Sequence, residues 1–197
     1  MKVNVKNITK EYQGFFTLEK ARLQFEKFDG SASEEVVREN FYRGDSVAAL
    51  IYDKKNKLVL LVRQFRYPVY TVEPDEPWIV ELVAGSCNEH EDPAETLLRE
   101  MVEEVHIRVT KKKLKPLYTF FVSPGGTSER IHLYAVETDL SNLKFDKGGL
   151  KEEEEDIEII LLPINKVLRF IKMGRIKDAK SIIALQWLQQ KMDSFDS

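Results

Sequence analysis

Two short runs of almost unbroken apolar residues, at 47–52 and 58–62, constrain the fold of this 197-residue chain most strongly. The polar segment Asp53-Lys54-Lys55-Asn56 separates them. A strand with one face in water alternates apolar and polar residues, whereas a continuous apolar run is typical of a strand buried on both faces. We therefore predict two fully buried strands joined by a polar turn.

The residues that follow predict further strands and two closing helices. Pro68, Pro74 and Pro77 interrupt a loop, because proline lacks a backbone donor and breaks regular structure. Strands are predicted at 78–83, ending at Ala84-Gly85, and at 117–122, 131–137 and 157–162. Helices are predicted at 164–173 and 179–192, each with an apolar face.

The first forty or so residues indicate a small extended unit. Its apolar pattern shifts by one residue, from Phe16 and Leu18 to 21, 23 and 25, which predicts a β-bulge near Lys20. Asp29-Gly30 predicts a tight turn, and a second strand follows at 34–42. So few apolar residues cannot stabilise a β unit alone. We expect it to pack on the rest of the chain or on a partner subunit.

The composition excludes several classes of protein. The chain has 33 acidic and 30 basic residues, a formal charge of −3 and a pI of about 5.8, so neither nucleic acid nor an anionic membrane is an expected partner. No apolar run reaches the roughly 18 to 20 residues of a membrane span, and a signal-peptide core is missing. We expect a cytoplasmic protein. The single Cys87 excludes an intramolecular disulfide and a cysteine-cage zinc site.

The segment from Asp92 to Val105 predicts an amphipathic helix with an acidic face. Asp92, Pro93 and Glu95 form a helix-start signal, and an apolar stripe recurs every three or four residues. Three carboxylates lie on the other side, within an arc of about 100°: Glu100, Glu103 and Glu104. Two interpretations remain open on this helix alone, a solvated acidic face or a site for Mg²⁺ or Mn²⁺, which prefer oxygen ligands.

The spacing around this helix carries a resemblance. From Gly85 the chain has five residues, then Glu91, seven residues, Arg99-Glu100, and Glu103-Glu104. This resembles the Nudix box, G-x5-E-x7-R-E-U-x-E-E-x-G-U with U apolar, at every defined position except one. His106 stands where the motif has glycine. Because that glycine ends the helix in a left-handed conformation, we expect strain or a shifted helix end at His106.

The resemblance implies a fold and a chemistry. The fold class would be α/β, an α/β/α sandwich around a mixed sheet, preceded by a small antiparallel β unit. Members hydrolyse a nucleoside diphosphate linked to another moiety and use divalent cations. By position, Glu100, Glu104 and the carbonyl of Ala84 would bind metal. Glu103 would act at the same site, and Arg99 would steady a ligand carboxylate.

The flanking segments are similar to one subgroup of the family, the bacterial ADP-ribose pyrophosphatases. The similarity extends from about Tyr12 to Gln190, and Pro124 occupies the position of a proline that distinguishes the subgroup. The segments are YQGFF (12–16), RQFR (63–66), PWIVELVAG (77–85), SPGGTSER (123–130) and SIIALQWLQ (181–189). This implies a Mg²⁺-dependent enzyme that converts ADP-ribose to AMP and ribose 5-phosphate, with Mn²⁺ as a substitute.

The subgroup also implies a homodimer that exchanges its N-terminal β unit, here residues 1–43, while residues 44–197 form the catalytic domain. Phe15 would stack on adenine, and Arg38 would reach across from the other subunit. Arg66 would meet the phosphates, Ser86 would bind substrate, and Glu129 would contact the terminal ribose or the phosphates. As alternatives, Phe15 is a core aromatic residue, and Arg38 and Arg66 form surface ion pairs.

The acidic run Glu152–Asp156 has two interpretations. A solvated loop is the plainer one. The resemblance instead makes Glu153 the general base for the attacking water and Glu155 a further metal ligand. Two other functions remain open: hydrolysis of GDP-mannose or another nucleotide sugar, and a Nudix domain that binds nucleotides without hydrolysis.

Overall fold

The computed structural model describes residues 1–193, and the side chains of Glu153 and Asp193 lie outside the described part. Its helices are α1 (Tyr67–Tyr70), α2 (Pro93–Val105), α3 (Ile164–Lys172) and α4 (Ala179–Asp193), with 3₁₀ turns at Lys111–Lys113 and Lys151–Glu153. Its strands are β1 (Val3–Gln13), β2 (Thr17–Phe25), β3 (Val36–Tyr42), β4 (Ser46–Asp53), β5 (Leu58–Phe65), β6 (Trp78–Glu81), β7 (Val83–Ser86), β8 (Lys115–Phe121), β9 (Arg130–Glu137), β10 (Lys147–Gly148) and β11 (Ile157–Pro163).

The N-terminal strands form a separate antiparallel sheet in the order β1-β2-β3. Gly30 has a φ of 82° in the turn predicted at Asp29-Gly30. The predicted bulge near Lys20 is wrong, because β2 pairs with β3 residue for residue from Thr17 to Leu23. The irregularities lie instead in β1, beside Lys6 and Glu11. An outer strand accommodates extra residues without disrupting a second ladder.

The polypeptide divides into two compact units. One contains Met1–Asp45 together with Phe121–Arg130, and the other contains Ser46–Phe120 with the residues from Ile131 onwards. In the first unit, Thr127 Oγ1 donates to Phe41 O over 2.8 Å, and Ser128 N donates to Asn40 Oδ1 over 2.9 Å. The SPGGTSER segment is thus anchored to β3.

The second unit contains the large sheet, ordered β10-β11-β5-β4-β9-β8, with β6 beside β5 and β7 beside β4. Strand β4 runs parallel to β9 and antiparallel to β5, so the sheet is mixed. Every residue of β4 is buried, as its apolar run predicts. Alternate residues of β4 enter two cores: Val47, Ala49 and Ile51 pack with α2 on one face, and Ala48 and Leu50 pack with α3 and α4 on the other. The predicted α/β/α fold class is confirmed.

The predicted strand at 78–83 is two strands in the structure. β6 pairs with β5, whereas β7 pairs with β4, and the break falls at the buried Leu82. The Leu82 N–H donates to Ser181 Oγ at the start of α4, over 2.9 Å. A backbone group that leaves the ladder therefore has a buried partner. The two closing helices match their predicted positions, and no helix among the described residues is long and apolar enough to cross a membrane.

Candidate active site

Helix α2 begins and ends where the sequence predicts. Asp92 caps its N-terminus by accepting a hydrogen bond from Ala94 N over 2.9 Å. His106 adopts the left-handed conformation at the C-terminus, with φ 57° and ψ 24°, so it occupies the conformation that the motif glycine provides. Its Nε2 donates to the Lys147 carbonyl over 3.0 Å, and its ring lies 4.5 Å from that of Phe145. These contacts join the end of α2 to β10.

The acidic face of α2 is partly buried: Glu104 is buried, and Glu100 and Glu103 are half-buried. Glu104 is only 3% exposed, and its Oε2 accepts a hydrogen bond from Ala84 N over 3.3 Å. Burial raises the pKa of Glu104 well above its ordinary value, and the neighbouring Glu100 and Glu155 raise it further. Burial likewise raises the pKa of Glu100 to about 7, with Glu103 adding to the effect. The site is an assembly of like charges that favours a bound cation.

Two glycines make this close packing possible. A Cβ on Gly85 would lie 2.1 Å from Oε1 of Glu100, so any larger residue would displace that carboxylate. A Cβ on Gly148 would lie 1.7 Å from the backbone oxygen of Glu104. Gly85 thus leaves room for an acidic side chain, and Gly148 lets β10 approach the last turn of α2.

Arg99 holds the outer acidic groups in place. Its guanidinium lies 2.9 Å from Oε1 of Glu100 and 2.9 Å from Oε2 of Glu103, and it lies 4.0 Å from Oε1 of Glu91. A planar guanidinium with several donors can orient more than one carboxylate. The ion pair with Glu100 fixes the orientation of that carboxylate; the role of Arg99 in steadying a metal ligand stays a prediction.

The acidic run forms a loop that begins at this site. Gly149 N donates to the carbonyl of Glu103 over 3.1 Å, and Leu150 N donates to Oε2 of Glu155 over 3.2 Å. Glu155 raises the pKa of both Glu100 and Glu104, which it faces. The side chain of Glu153, the predicted base, lies outside the described residues.

A buried charge network positions Arg66. Arg66 Nε lies 2.7 Å from Oε1 of Glu81, and Lys180 Nζ lies 2.6 Å from Oε2 of the same carboxylate. Asp178 pairs with Lys180 over 3.0 Å. Burial alone would lower the pKa of Arg66, but the pairing with Glu81 raises it above its ordinary value. Sequence reasoning missed Glu81 and Lys180, although an acidic residue inside the apolar strand WIVEL is a signal of a paired buried charge.

The other predicted substrate-binding residues are divided between the two compact units. Ser86 is exposed at the end of β7. The remaining three lie in the N-terminal unit. Phe15 is 90% exposed, with its ring 4.7 Å from that of Phe16, and Arg38 is exposed on β3. Glu129 is buried, with Arg43 Nε 3.4 Å from its Oε1. Phe15 is therefore not a core residue.

The donor set fits a hard, partly hydrated dication. Carboxylate and carbonyl oxygens are the ligands that Mg²⁺ prefers, and Mg²⁺ typically takes only one or two carboxylates and keeps water molecules. Among the described residues, no group of three or more His, Cys, Asp or Glu side chains is placed to hold a metal ion. Glu100 packs against Gly85 and Glu104 accepts a hydrogen bond from Ala84 N, so this pair of carboxylates fits an ion that takes its remaining ligands from water and substrate.

Comparison with known proteins identifies the family. The NUDIX domain model matches residues 42–185. The chain is 38% identical over 178 residues to the ADP-ribose pyrophosphatase of Escherichia coli (strain K12), covering 90% of this chain and 83% of that protein. It is 33% identical over 191 residues to the GDP-mannose pyrophosphatase of Yersinia enterocolitica, covering 96% and 97%. A crystal structure of an ADP compounds hydrolase aligns with a TM-score of 0.69 over 98% of this chain and 96% of that chain, at 16% identity, and supports the fold.

A mixed sheet between helices, with Glu100 and Glu104 of α2 packed against β7, defines the class of protein. The chain belongs to the Nudix family, and the predicted Nudix hydrolase is confirmed.

Proposed function

We propose that this protein is a Mg²⁺-dependent pyrophosphohydrolase that cleaves ADP-ribose to AMP and ribose 5-phosphate. The observation that carries the proposal is the pair of acids on α2, Glu104 buried beside Ala84 N and Glu100 packed against Gly85, in the spacing of the Nudix box. The 38% identity to ADP-ribose pyrophosphatases of Escherichia coli and Haemophilus influenzae supports the choice of substrate.

In the proposed mechanism, acidic residues of α2 would bind the cation that an anionic pyrophosphate substrate requires. Glu100, Glu104 and the Ala84 carbonyl would hold Mg²⁺, with Glu155 as a further ligand. Mg²⁺ held by these residues would offset the negative charge of the pyrophosphate and make its phosphorus more electrophilic. Arg99 keeps Glu100 and Glu103 oriented through its two 2.9 Å contacts.

Bond changes in the proposed reaction are confined to the pyrophosphate. A water oxygen attacks one phosphorus atom, and the bond from that phosphorus to the bridging oxygen breaks. Glu153 takes the proton of the water, while Glu103 lies beside the same site and orders the groups around it. The products, AMP and ribose 5-phosphate, each leave with one phosphate.

Substrate contacts in the proposal come from both units of the chain. Arg66, held by Glu81, would bind the phosphates. Ser86, next to Gly85 at the end of β7, would contact the substrate. Phe15 would stack on the adenine through its exposed ring, and Glu129 would contact the terminal ribose or the phosphates. Arg38 would act from the other subunit of a homodimer in which residues 1–43 are exchanged and residues 44–197 form the catalytic domain.

GDP-mannose hydrolysis is the second candidate. The relative from Yersinia enterocolitica is aligned over 97% of its own length at 33% identity, so its whole architecture corresponds to this chain. The two candidates share the pyrophosphate chemistry and differ in the base and the sugar. The acidic residues of α2 serve the shared pyrophosphate chemistry, so the choice between the two substrates depends on the residues that contact the base and the sugar.

A matched pair of substitutions on α2 tests the proposed role of the buried acids. Glu104→Gln removes the charge at the predicted metal site, so we expect ADP-ribose hydrolysis with Mg²⁺ to fall by at least about 100-fold. Glu95→Gln removes a charge from the same helix at an exposed position paired with Lys111, and it should retain near-native activity. Near-native turnover by Glu104→Gln would exclude the proposed metal site.

A further inference from the structure

A pocket of about 570 Å³ lies in the second unit, away from the residues of the candidate active site. It forms where β4 and β9 end, whereas Gly85 pairs with Val47 near the start of β4. Six lysines line it, together with three carboxylates, and we call it the lysine pocket: Lys54, Lys55, Lys112, Lys113, Lys115, Lys191, Asp53, Glu137 and Asp139, with Tyr52, Ala135 and Thr138. None of these residues has a role in the proposed function.

The charge of the lysine pocket is opposite to that of the whole chain. Six lysines face three carboxylates in the pocket, although the protein has a formal charge of −3. An excess of one sign of charge in a cleft raises the local concentration of counter-ions.

The three carboxylates already have hydrogen-bond donors. Asp53 accepts from Asn56 Nδ2 over 2.7 Å and from Leu140 N over 2.9 Å. Asp139 accepts from Ser141 N over 2.9 Å, and Glu137 accepts from Tyr52 OH over 3.2 Å. These acids stabilise turns and a tyrosine, and the lysines that line the pocket outnumber them by six to three.

The lysine run 111–113 divides between two tasks. Lys111 is paired with Asp92 and Glu95 at the start of α2, over 2.5 and 3.1 Å. Lys112 and Lys113 are exposed and line the pocket, and neither forms an ion pair with any residue between 1 and 193 that the structure describes. One lysine of the run is therefore structural, and two are available to a ligand.

The aromatic groups at the pocket favour a phosphate ligand over a nucleobase. Lys115 Nζ lies 5.3 Å from the centre of the Trp187 ring and Lys191 Nζ lies 5.1 Å from it, and Lys191 also lies 5.2 Å from the Tyr52 ring. Single-stranded nucleic acid requires open aromatic faces for stacking. Here lysine ammonium groups cover those faces and add positive charge to the pocket.

We propose that the lysine pocket binds a compact anion that carries two or more phosphate groups. Lysine acts as a point charge toward phosphate, and the volume is within the range of small-molecule sites. The proposal is independent of the hydrolase activity. Inorganic tripolyphosphate is a suitable probe, because it has the phosphates without a base or sugar.

The test is calorimetric titration of the protein with tripolyphosphate in EDTA, where the acidic site on α2 has no dication and repels the probe. We expect saturable one-to-one binding, weakened about tenfold or more in the double variant Lys112→Ser/Lys113→Ser. The matched control, Lys166→Ser/Lys172→Ser, removes two exposed lysines from α3 and should bind like the native protein. Absence of binding, or equal weakening in both variants, would overturn the proposal. Hydrolysis of ADP-ribose by both variants is a separate check that they are folded.

Discussion

A buried carboxylate such as Glu104 costs free energy unless a cation or a hydrogen bond compensates its charge. Within the part of the chain that the structure describes, a single backbone donor, Ala84 N, reaches Glu104 at 3.3 Å, while Glu100 and Glu155 add like charge. A residue in that position destabilises the free protein, and a bound dication removes the repulsion. The most informative single residue of the site is therefore the most deeply buried acid.

His106 provides a direct test of backbone strain at the end of α2. Its φ of 57° is favourable for glycine and costly for alanine. We expect His106→Gly to be more stable than His106→Ala by about 1 kcal/mol, because both lose the same ring contacts and differ only in backbone freedom. Urea denaturation of the two variants measures the difference. Equal stabilities would contradict the left-handed conformation at this residue.

Asp53 gives the fold a predictable pH dependence. Burial raises the pKa of Asp53, but hydrogen bonds from Asn56 and Leu140 outweigh it and lower the pKa below 3.8. The ionised form is therefore favoured by folding, and its contribution is complete above about pH 4 and is lost as the pH falls through the lowered value. We expect Asp53→Asn to reduce the free energy of unfolding by about 1–3 kcal/mol at pH 7.

The comparison across pH isolates this effect. The difference in free energy of unfolding between the native protein and Asp53→Asn should shrink as the pH falls below 3.8. Denaturant unfolding at each pH measures this difference. The exposed Asp75 supplies a control, since Asp75→Asn should change stability little at any of these pH values. A difference that stays constant with pH would show that the carboxylate charge is not what matters.

At the scale of elements, local pattern determined what each segment forms, and long-range pairing determined where it ends. The stripe in α2 and the apolar run in β4 predicted both elements correctly, because burial on one or both faces is visible in the sequence. The division of 78–83 into β6 and β7 was not visible, since it depends on the change of partner from β5 to β4. The acids of α2 were predicted, but their burial required knowledge of β7 and Gly85.

The close approach of strand β10 to α2 leads to a prediction about activity. A methyl group on Gly148 would collide with the backbone of Glu104, so Gly148→Ala should move the start of the acidic loop away from α2. We expect turnover of ADP-ribose to fall at least about tenfold while circular dichroism stays native. Gly125→Ala, where an added Cβ meets nothing within 4 Å, is the matched control. Unchanged turnover in Gly148→Ala would separate the loop from the reaction.

For the molecule as a whole, the net charge of −3 conceals an uneven distribution. Acidic groups gather on α2 and in the loop at 152–156, and lysines gather at the opposite end of β4. The sequence predicted the acidic groups and the marginal N-terminal unit, because both follow from local composition. It did not predict the lysine pocket, whose residues come from four separate segments of the chain.

The N-terminal unit leads to a prediction about assembly. Apolar side chains on β1 are exposed, among them Ile8 at 57%, and exposed apolar rows mark surfaces that a partner covers. If residues 1–43 are exchanged in a dimer, Ile8→Asp should shift the protein toward monomer in light scattering and reduce ADP-ribose turnover. Thr9→Asp, at the neighbouring exposed position, should remain dimeric. A fully active monomeric native protein would contradict the exchanged dimer.

The central claim is best tested by one measurement, a substrate panel assayed with Mg²⁺ and scored by released AMP or GMP. ADP-ribose and GDP-mannose are compared at equal enzyme concentration, with EDTA reactions as the blank. The account predicts the highest kcat/KM for ADP-ribose, equimolar AMP and ribose 5-phosphate as products, and no reaction in EDTA. A higher kcat/KM for GDP-mannose, or no hydrolysis of either compound with Mg²⁺ or Mn²⁺, would contradict it.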